Sequence, residues 1–173
     1  MKRLILILNG KGGVGKSTFA THLVQFYKDL GAKHRSADTD NENSTLKRFH
    51  KDAEFVDISE PRGLDLLFDL LEGTDTVITD CRAASTDLIL GYFEEVSAFE
   101  VLASLSARLT VVMPVNHEPD SLEQLRVISS ALGNLCDYVV VRNQVHSDHF
   151  LLYEKSRIRA RLLDELCAQE ITM

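Results

Sequence analysis

The sequence predicts an α/β domain with a doubly wound, mostly parallel sheet flanked by helices, and three observations carry that expectation. Short aliphatic runs alternate with longer amphipathic segments along the chain, the rhythm of strands joined by crossover helices. The runs "LILIL" at 4–8 and "RLTVVMPV" at 108–115 are near-continuous in apolar residues, as strands buried on both faces are. The chain has 173 residues, 45% of them apolar, enough for a single domain with a covered sheet and too apolar for a disordered tail.

The first strand occupies 4–8. Ala20, Leu23, Val24, Tyr27 and Leu30 follow at helical spacing, and Gly31 stands where that helix stops. A weak strand at 32–37 leads into a polar stretch through 38–51, and "EFVDI" at 54–58 reads as a short strand. A helix at 63–72 precedes the strand "DTVITD" at 75–80. A helical region at 87–105 separates it from the strand at 108–115. Pro119 and Asp120 open a helix with Leu122, Leu125, Ile128 and Leu132 on one face, and Gly133 closes it. "DYVVVRN" at 137–143 is a strand, and 153–168 is read as a final helix.

A net charge of −7 excludes a chain that is basic all over; contact with nucleic acid needs a local patch. Cys81, Cys136 and Cys167 are odd in number, lie far apart and include no CxxC pair, which points to buried thiols in a reducing cytoplasm. "MKRLILIL" imitates the start of a signal peptide, but no small-residue cleavage site follows its short apolar run. No stretch reaches the roughly 20 apolar residues of a membrane span. The six histidines show no metal-ligand spacing of the HExxH kind.

The motif that carries chemistry is Gly10-Lys11-Gly12-Gly13-Val14-Gly15-Lys16-Ser17, followed by Thr18. It matches G-x-x-x-x-G-K-[ST] between a buried strand and a helix, the context in which backbone amides cradle phosphates. Lys16 is placed to reach the β- and γ-phosphates, and Ser17 to ligate Mg²⁺. Asp80 ends a hydrophobic strand, as a Walker B carboxylate does. Asp38 and Asp40 flank Thr39 at the end of the second expected strand, on the same sheet edge, where ligands of parallel sheets collect. Lys11 has no role in a loop that already has Lys16.

That loop, "KGGVGKST", resembles the loop of the ParA/MinD family of deviant Walker A P-loop ATPases, with the family's signature lysine at Lys11. "ADTDNENST", "VITDCRA", "VVMPVNHEPDSLEQL" and "VVVRNQV" resemble further family segments, in the family's order. The resemblance implies a cytoplasmic ATPase that binds ATP and Mg²⁺ and forms a homodimer in the ATP state. Lys11 then reaches the partner's nucleotide, Asp40 positions the attacking water, Asp38 assists the metal shell and Asn143 contacts adenine. Slow hydrolysis, stimulated by an adaptor protein, makes such a dimer a switch in plasmid or DNA partition, mobilisation or intracellular positioning. The chain departs from the family at Asn41-Glu42, at Arg82-Ala83, and at "EITM", where the family continues with a further strand and helix.

Residues 143–146, "NQVH", lack the aspartate of the guanine-reading N-K-x-D motif, which favours adenine. Lys155, Arg157, Arg159 and Arg161 form two i,i+4 pairs on the expected last helix. They are read either as nonspecific DNA contacts or as a solvated face offsetting Glu154, Asp164 and Glu165. Residues 162–173 carry mixed charge, so no membrane anchor is evident. Rival readings are a dimerisation module with negligible hydrolysis, a small-molecule kinase using the same loop, and an iron–sulfur carrier, the last disfavoured by the cysteine pattern.

Overall fold

The computed structural model describes residues 1–60 and 62–173. Its central strand, β1 (Lys2–Ile7), pairs in parallel with β4 (Thr76–Asp80) on one side and β5 (Ala107–Val115) on the other. β2 (Arg35–Asp38) and β3 (Glu54–Phe55) continue the sheet beyond β4, and β6 (Asp137–Arg142) and β7 (Gln169–Thr172) beyond β5. The order is β3-β2-β4-β1-β5-β6-β7, with every pair parallel. Chain direction across the sheet reverses beside β1, so the loop after β1 opens at the switch point where such sheets take ligands.

The unbroken aliphatic run in β1 has a simple cause: both faces are covered. Leu4, Leu6 and Leu8 enter one apolar cluster with residues of α3 (Asp65–Glu72), α4 (Thr86–Glu95), α5 (Ala98–Ser104) and α6 (Pro119–Leu132). Ile5 and Ile7 enter a second cluster with Ala20 and Val24 of α1 (Lys16–Asp29) and Leu46 of α2 (Thr45–Phe49). Each of these leucine, isoleucine and valine side chains, buried fully, contributes about 1.5–3 kcal/mol of hydrophobic stabilisation.

Five expectations from the sequence change. Cys81 and Cys136 are buried, but Cys167, expected to be buried with them, is exposed. The helix expected at 87–105 is two helices, broken at Ser97, whose backbone is left-handed with φ 50°. The polar stretch at 38–51 contains α2, which apolar periodicity does not reveal because Leu46 is its sole buried residue. The first three residues of "EITM" lie in β7, paired with β6 from Val139↔Gln169 to Arg142↔Thr172; at a sheet edge they need no apolar alternation. The final helix at 153–168 is α7 (Leu151–Glu154), then α8 (Arg157–Ala160), then a π turn at Arg161–Glu165. Ser156 ends the first and caps the second, accepting a hydrogen bond from the Arg159 amide at 3.1 Å. Lys155 is thereby cut off from Arg159, while Arg157 and Arg161 stay in one helical stretch. Arg159 ion-pairs with Glu170 at 3.0 Å, and Arg161 donates to Ser130 Oγ at 3.1 Å.

Gly63 and Gly91 make opposite demands. A Cβ on Gly63 would lie 1.7 Å from the Asp57 carbonyl oxygen, whereas one on Gly91, within α4, meets nothing within 4 Å. Gly63→Ala should therefore lower unfolding stability by about 1–3 kcal/mol, and Gly91→Ala should raise it by up to about 1 kcal/mol. Urea denaturation of the two variants beside wild type checks both signs.

Candidate nucleotide site

The loop between β1 and α1 cannot hold itself open, since its amides must point at a ligand rather than at each other. Side-chain amides from three other places hold it. Asn9, fully buried at the end of β1, donates to the Pro114 carbonyl at 2.8 Å and accepts from the Lys11 amide at 2.9 Å. Gln124 of α6 accepts from the Gly10 amide at 3.1 Å and from Thr86 Oγ1 at 2.8 Å. Asn143, just after β6, donates to the Val14 carbonyl at 3.0 Å. The Asn143 approach requires glycine at the adjoining position: a Cβ on Gly15 would lie 2.4 Å from Asn143 Nδ2, and Gly15 has φ +98°. Asn9 and Gln124 escape the motif. Asn9 reads as an ordinary residue before a glycine turn, and Gln124 as a surface position beside Leu125.

Beside this loop opens a cavity of about 350 Å³, lined among others by Gly12, Gly13, Lys16, Ser17, Asp40 and Arg82. A larger cleft of about 540 Å³ between α4, α5 and α6 has glutamates but no basic side chain on its walls, so it offers an anion nothing. Lys16 is 7% exposed, and burial lowers its pKa against the opposing pull of Asp80. Its Nζ donates to the Lys11 carbonyl at 2.9 Å. Lys11 itself turns away from the cavity. Its Nζ lies 3.1 Å from Glu118 Oε2 and 3.5 Å from Asp120 Oδ2, at the start of α6. Hydrogen bonding and attraction from Glu118 raise its pKa, and Lys11 in turn lowers that of Glu118.

The three carboxylates behave differently. Asp80, 2% exposed, accepts no hydrogen bond at either oxygen from the described residues. Burial pushes its pKa up to about 7, opposed by the Ser17 hydroxyl, which stands near without completing a bond, and by Lys16. A buried carboxylate without a donor, close to a serine hydroxyl, fits a hard divalent cation. Asp38, fully buried, accepts at one oxygen from the Asp40 amide at 3.0 Å and at the other from the Lys47 amide at 3.1 Å. These two bonds fix the turn that carries Asp40 and the start of α2. Asp40 lines the cavity and accepts from the Glu42 and Asn43 amides at 3.0 and 3.1 Å. Thr39 joins the acidic loops, donating its amide to the Asp80 carbonyl at 3.0 Å and accepting from the Arg82 amide at 2.9 Å.

The sequence and the fold resemble those of known proteins. Protein MobD of Acidithiobacillus ferrooxidans is 28% identical over 99% of this chain and 77% of that protein. Chloroplast FtsY from Physcomitrella patens superposes over 99% of this chain and 58% of its own, with a TM-score of 0.60 at 18% identity. This chain therefore spans little more than half of that neighbour. A nucleotide-binding protein in complex with ADP from Archaeoglobus fulgidus superposes over 98% of this chain and 80% of its own, with a TM-score of 0.55 at 15% identity. At such identities these two likenesses speak for the fold alone, that of P-loop nucleotide-binding proteins. The model of the CobQ/CobB/MinD/ParA nucleotide-binding domain matches residues 5–170. With that model spanning nearly the whole chain, the protein belongs to the CobQ/CobB/MinD/ParA nucleotide-binding domain family.

Proposed function

We propose that this chain is an ATP-dependent dimerisation switch that binds ATP with Mg²⁺ and hydrolyses it slowly. The observation that carries the proposal is the division of labour between the loop's two lysines. Lys16 is buried at the phosphate cavity, while Lys11 is held outside it by Glu118 and Asp120. A lysine excluded from its own site is available to a neighbour's, where it stabilises phosphate charge only once two subunits have docked. Loop amides and Lys16 hold the β- and γ-phosphates. Ser17 and Asp80 hold Mg²⁺, which neutralises phosphate oxygens when bound. Asp40, braced by two amides, orients the attacking water. Asn143, 6% exposed and already bonded to the loop, stands at the base side of the nucleotide. A stimulating adaptor is the expected partner, and the process served is DNA partition, mobilisation or intracellular positioning. Nonspecific DNA contact falls mainly to Lys155 and Arg157, since Arg159 and Arg161 have partners within the chain.

A second reading, a switch with negligible turnover, is favoured by the amides of Glu42 and Asn43, which both donate to Asp40 Oδ1 and so take up one of the two oxygens that could orient water. Phosphate release measured with ATP alone separates it from the first.

Light scattering in ATP–Mg²⁺ should show a dimer for wild type and a monomer for Lys11→Ala, with nucleotide affinity little changed in the variant. A single species with and without ATP in wild type refutes the switch. Lys16→Ala should weaken nucleotide binding roughly ten- to a hundredfold, the worth of a charge-assisted contact of about 1.5–3 kcal/mol, as read by calorimetry.

The Asp80 carboxyl, raised to about 7, must lose its proton to hold a cation. Affinity for Mg²⁺–nucleotide should therefore rise roughly tenfold from pH 6 to pH 8. Without ligand the sign is opposite: between about pH 4 and pH 7 the folded state binds the extra proton, so this group's contribution to stability falls as pH rises. Calorimetry and urea denaturation across that range, repeated on Asp80→Asn, test both; a pH dependence that survives the substitution assigns it elsewhere.

A further inference from the structure

Arg82 follows Asp80 by two residues, at one of the points where the chain departs from the family it resembles, and the nucleotide reading above leaves it without a task. Its backbone is fixed on both sides. The Arg82 amide donates to Thr39 Oγ1 at 2.9 Å, and its carbonyl accepts from Ser85 Oγ at 2.8 Å. The Ala84 amide donates to the Gly10 carbonyl at 2.9 Å, tying the segment to the phosphate loop itself. Arg82 lines the same cavity as Gly12, Gly13, Lys16 and Asp40. It is half-buried, and among the described residues its guanidinium takes part in no ion pair or hydrogen bond. A guanidinium offers five donors in a planar fork that matches phosphate oxygens, and here those donors have no acceptor among the described residues.

Charge balance points the same way. The cavity wall carries two cations, Lys16 and Arg82, against Asp40, with the Asp80 carboxylate behind. Lys11, the nearest other cation of the loop, is engaged by Glu118 and Asp120. A terminal phosphate brings several negative charges into this space, more than Lys16 offsets alone, and cleavage redistributes them onto the leaving group.

We propose that Arg82 is a catalytic residue of its own subunit's site, with its guanidinium on the terminal phosphate of bound ATP. The assignment rests on the ATPase reading. In the reaction the water oxygen bonds to the γ-phosphorus as the bond from that phosphorus to the β–γ bridging oxygen breaks. The bonding pair leaves with ADP, and the proton lost by water passes to the released phosphate or to solvent. Arg82 transfers no proton; its hydrogen bonds strengthen as charge gathers on the phosphate and the bridging oxygen.

The test compares wild type, Arg82→Ala and Arg82→Lys as full chains. It uses single-turnover phosphate release and calorimetric affinities for ADP and for a non-hydrolysable ATP analogue. Arg82→Ala should slow release roughly ten- to a thousandfold, lower affinity for the ATP analogue, and shift ADP affinity less than about threefold. Arg82→Lys should recover part of the loss, since an ammonium cannot make the forked contact. Guanidinium ion at low millimolar concentration should restore rate to Arg82→Ala but not to Asp80→Asn. Where turnover is too slow to follow, loss of preference for the ATP analogue over ADP in Arg82→Ala supports the assignment equally. Unchanged rate and unchanged preference in Arg82→Ala overturn the assignment, as does an equal loss of ADP and ATP affinity, which marks a structural role. A wild type that binds no ATP overturns the ATPase reading and takes this assignment with it.

Discussion

A phosphate-binding loop must keep its amide hydrogens unsatisfied by its own chain, and everything around the β1–α1 loop follows from that constraint. Left alone, a glycine-rich segment collapses onto its own donors. Here three carboxamides prevent it, from three separate elements: Asn9 at the end of β1, Gln124 on α6, and Asn143 after β6. Each bonds a loop group that does not face the cavity. The sheet order places these elements side by side, because β5 lies next to β1 and β6 next to β5. The fold supplies the loop's rigidity from outside it.

The electrostatics divide along the same line. On the cavity side, burial works against charge: it pushes Asp80 up and Lys16 down, so each stands nearer neutrality than its free counterpart. On the outer side, Lys11 and Glu118 stabilise one another's charged forms in partial solvent. Ionic contacts of that exposed kind are weak and salt-sensitive. The loop thus has one lysine held by its surroundings and another held lightly, close together along the same short segment.

Much of this was legible in the sequence because it depends on pattern. The two-faced burial of β1 follows from uninterrupted Leu and Ile, and the phosphate loop from glycine and lysine spacing in a strand–helix context. Asp80 is legible for the same reason, a charge ending a hydrophobic strand. What escaped depends on partners distant along the chain. Gln124 looks like any polar helix residue until α6 is laid beside Gly10. Residues 153–168 keep helical spacing in their apolar positions, yet Ser156 breaks the helix by capping the next one. β7 hides because an edge strand needs pairing with β6 rather than an apolar face. Ser97, in a left-handed conformation, splits α4 from α5 where no glycine or proline signals it.

Thr39 has a mechanical consequence. Its amide is bonded to the end of β4 and its hydroxyl to the residue that starts the turn into α4, while Asp38 next to it anchors α2. The two acid-bearing loops are therefore joined in series through one threonine. A displacement at either strand end is carried through short, directional bonds rather than absorbed by a loop. The positions of α2 and α4 on opposite faces of the sheet become correlated quantities, and a surface contact far from the cavity on one face has a physical route to the other.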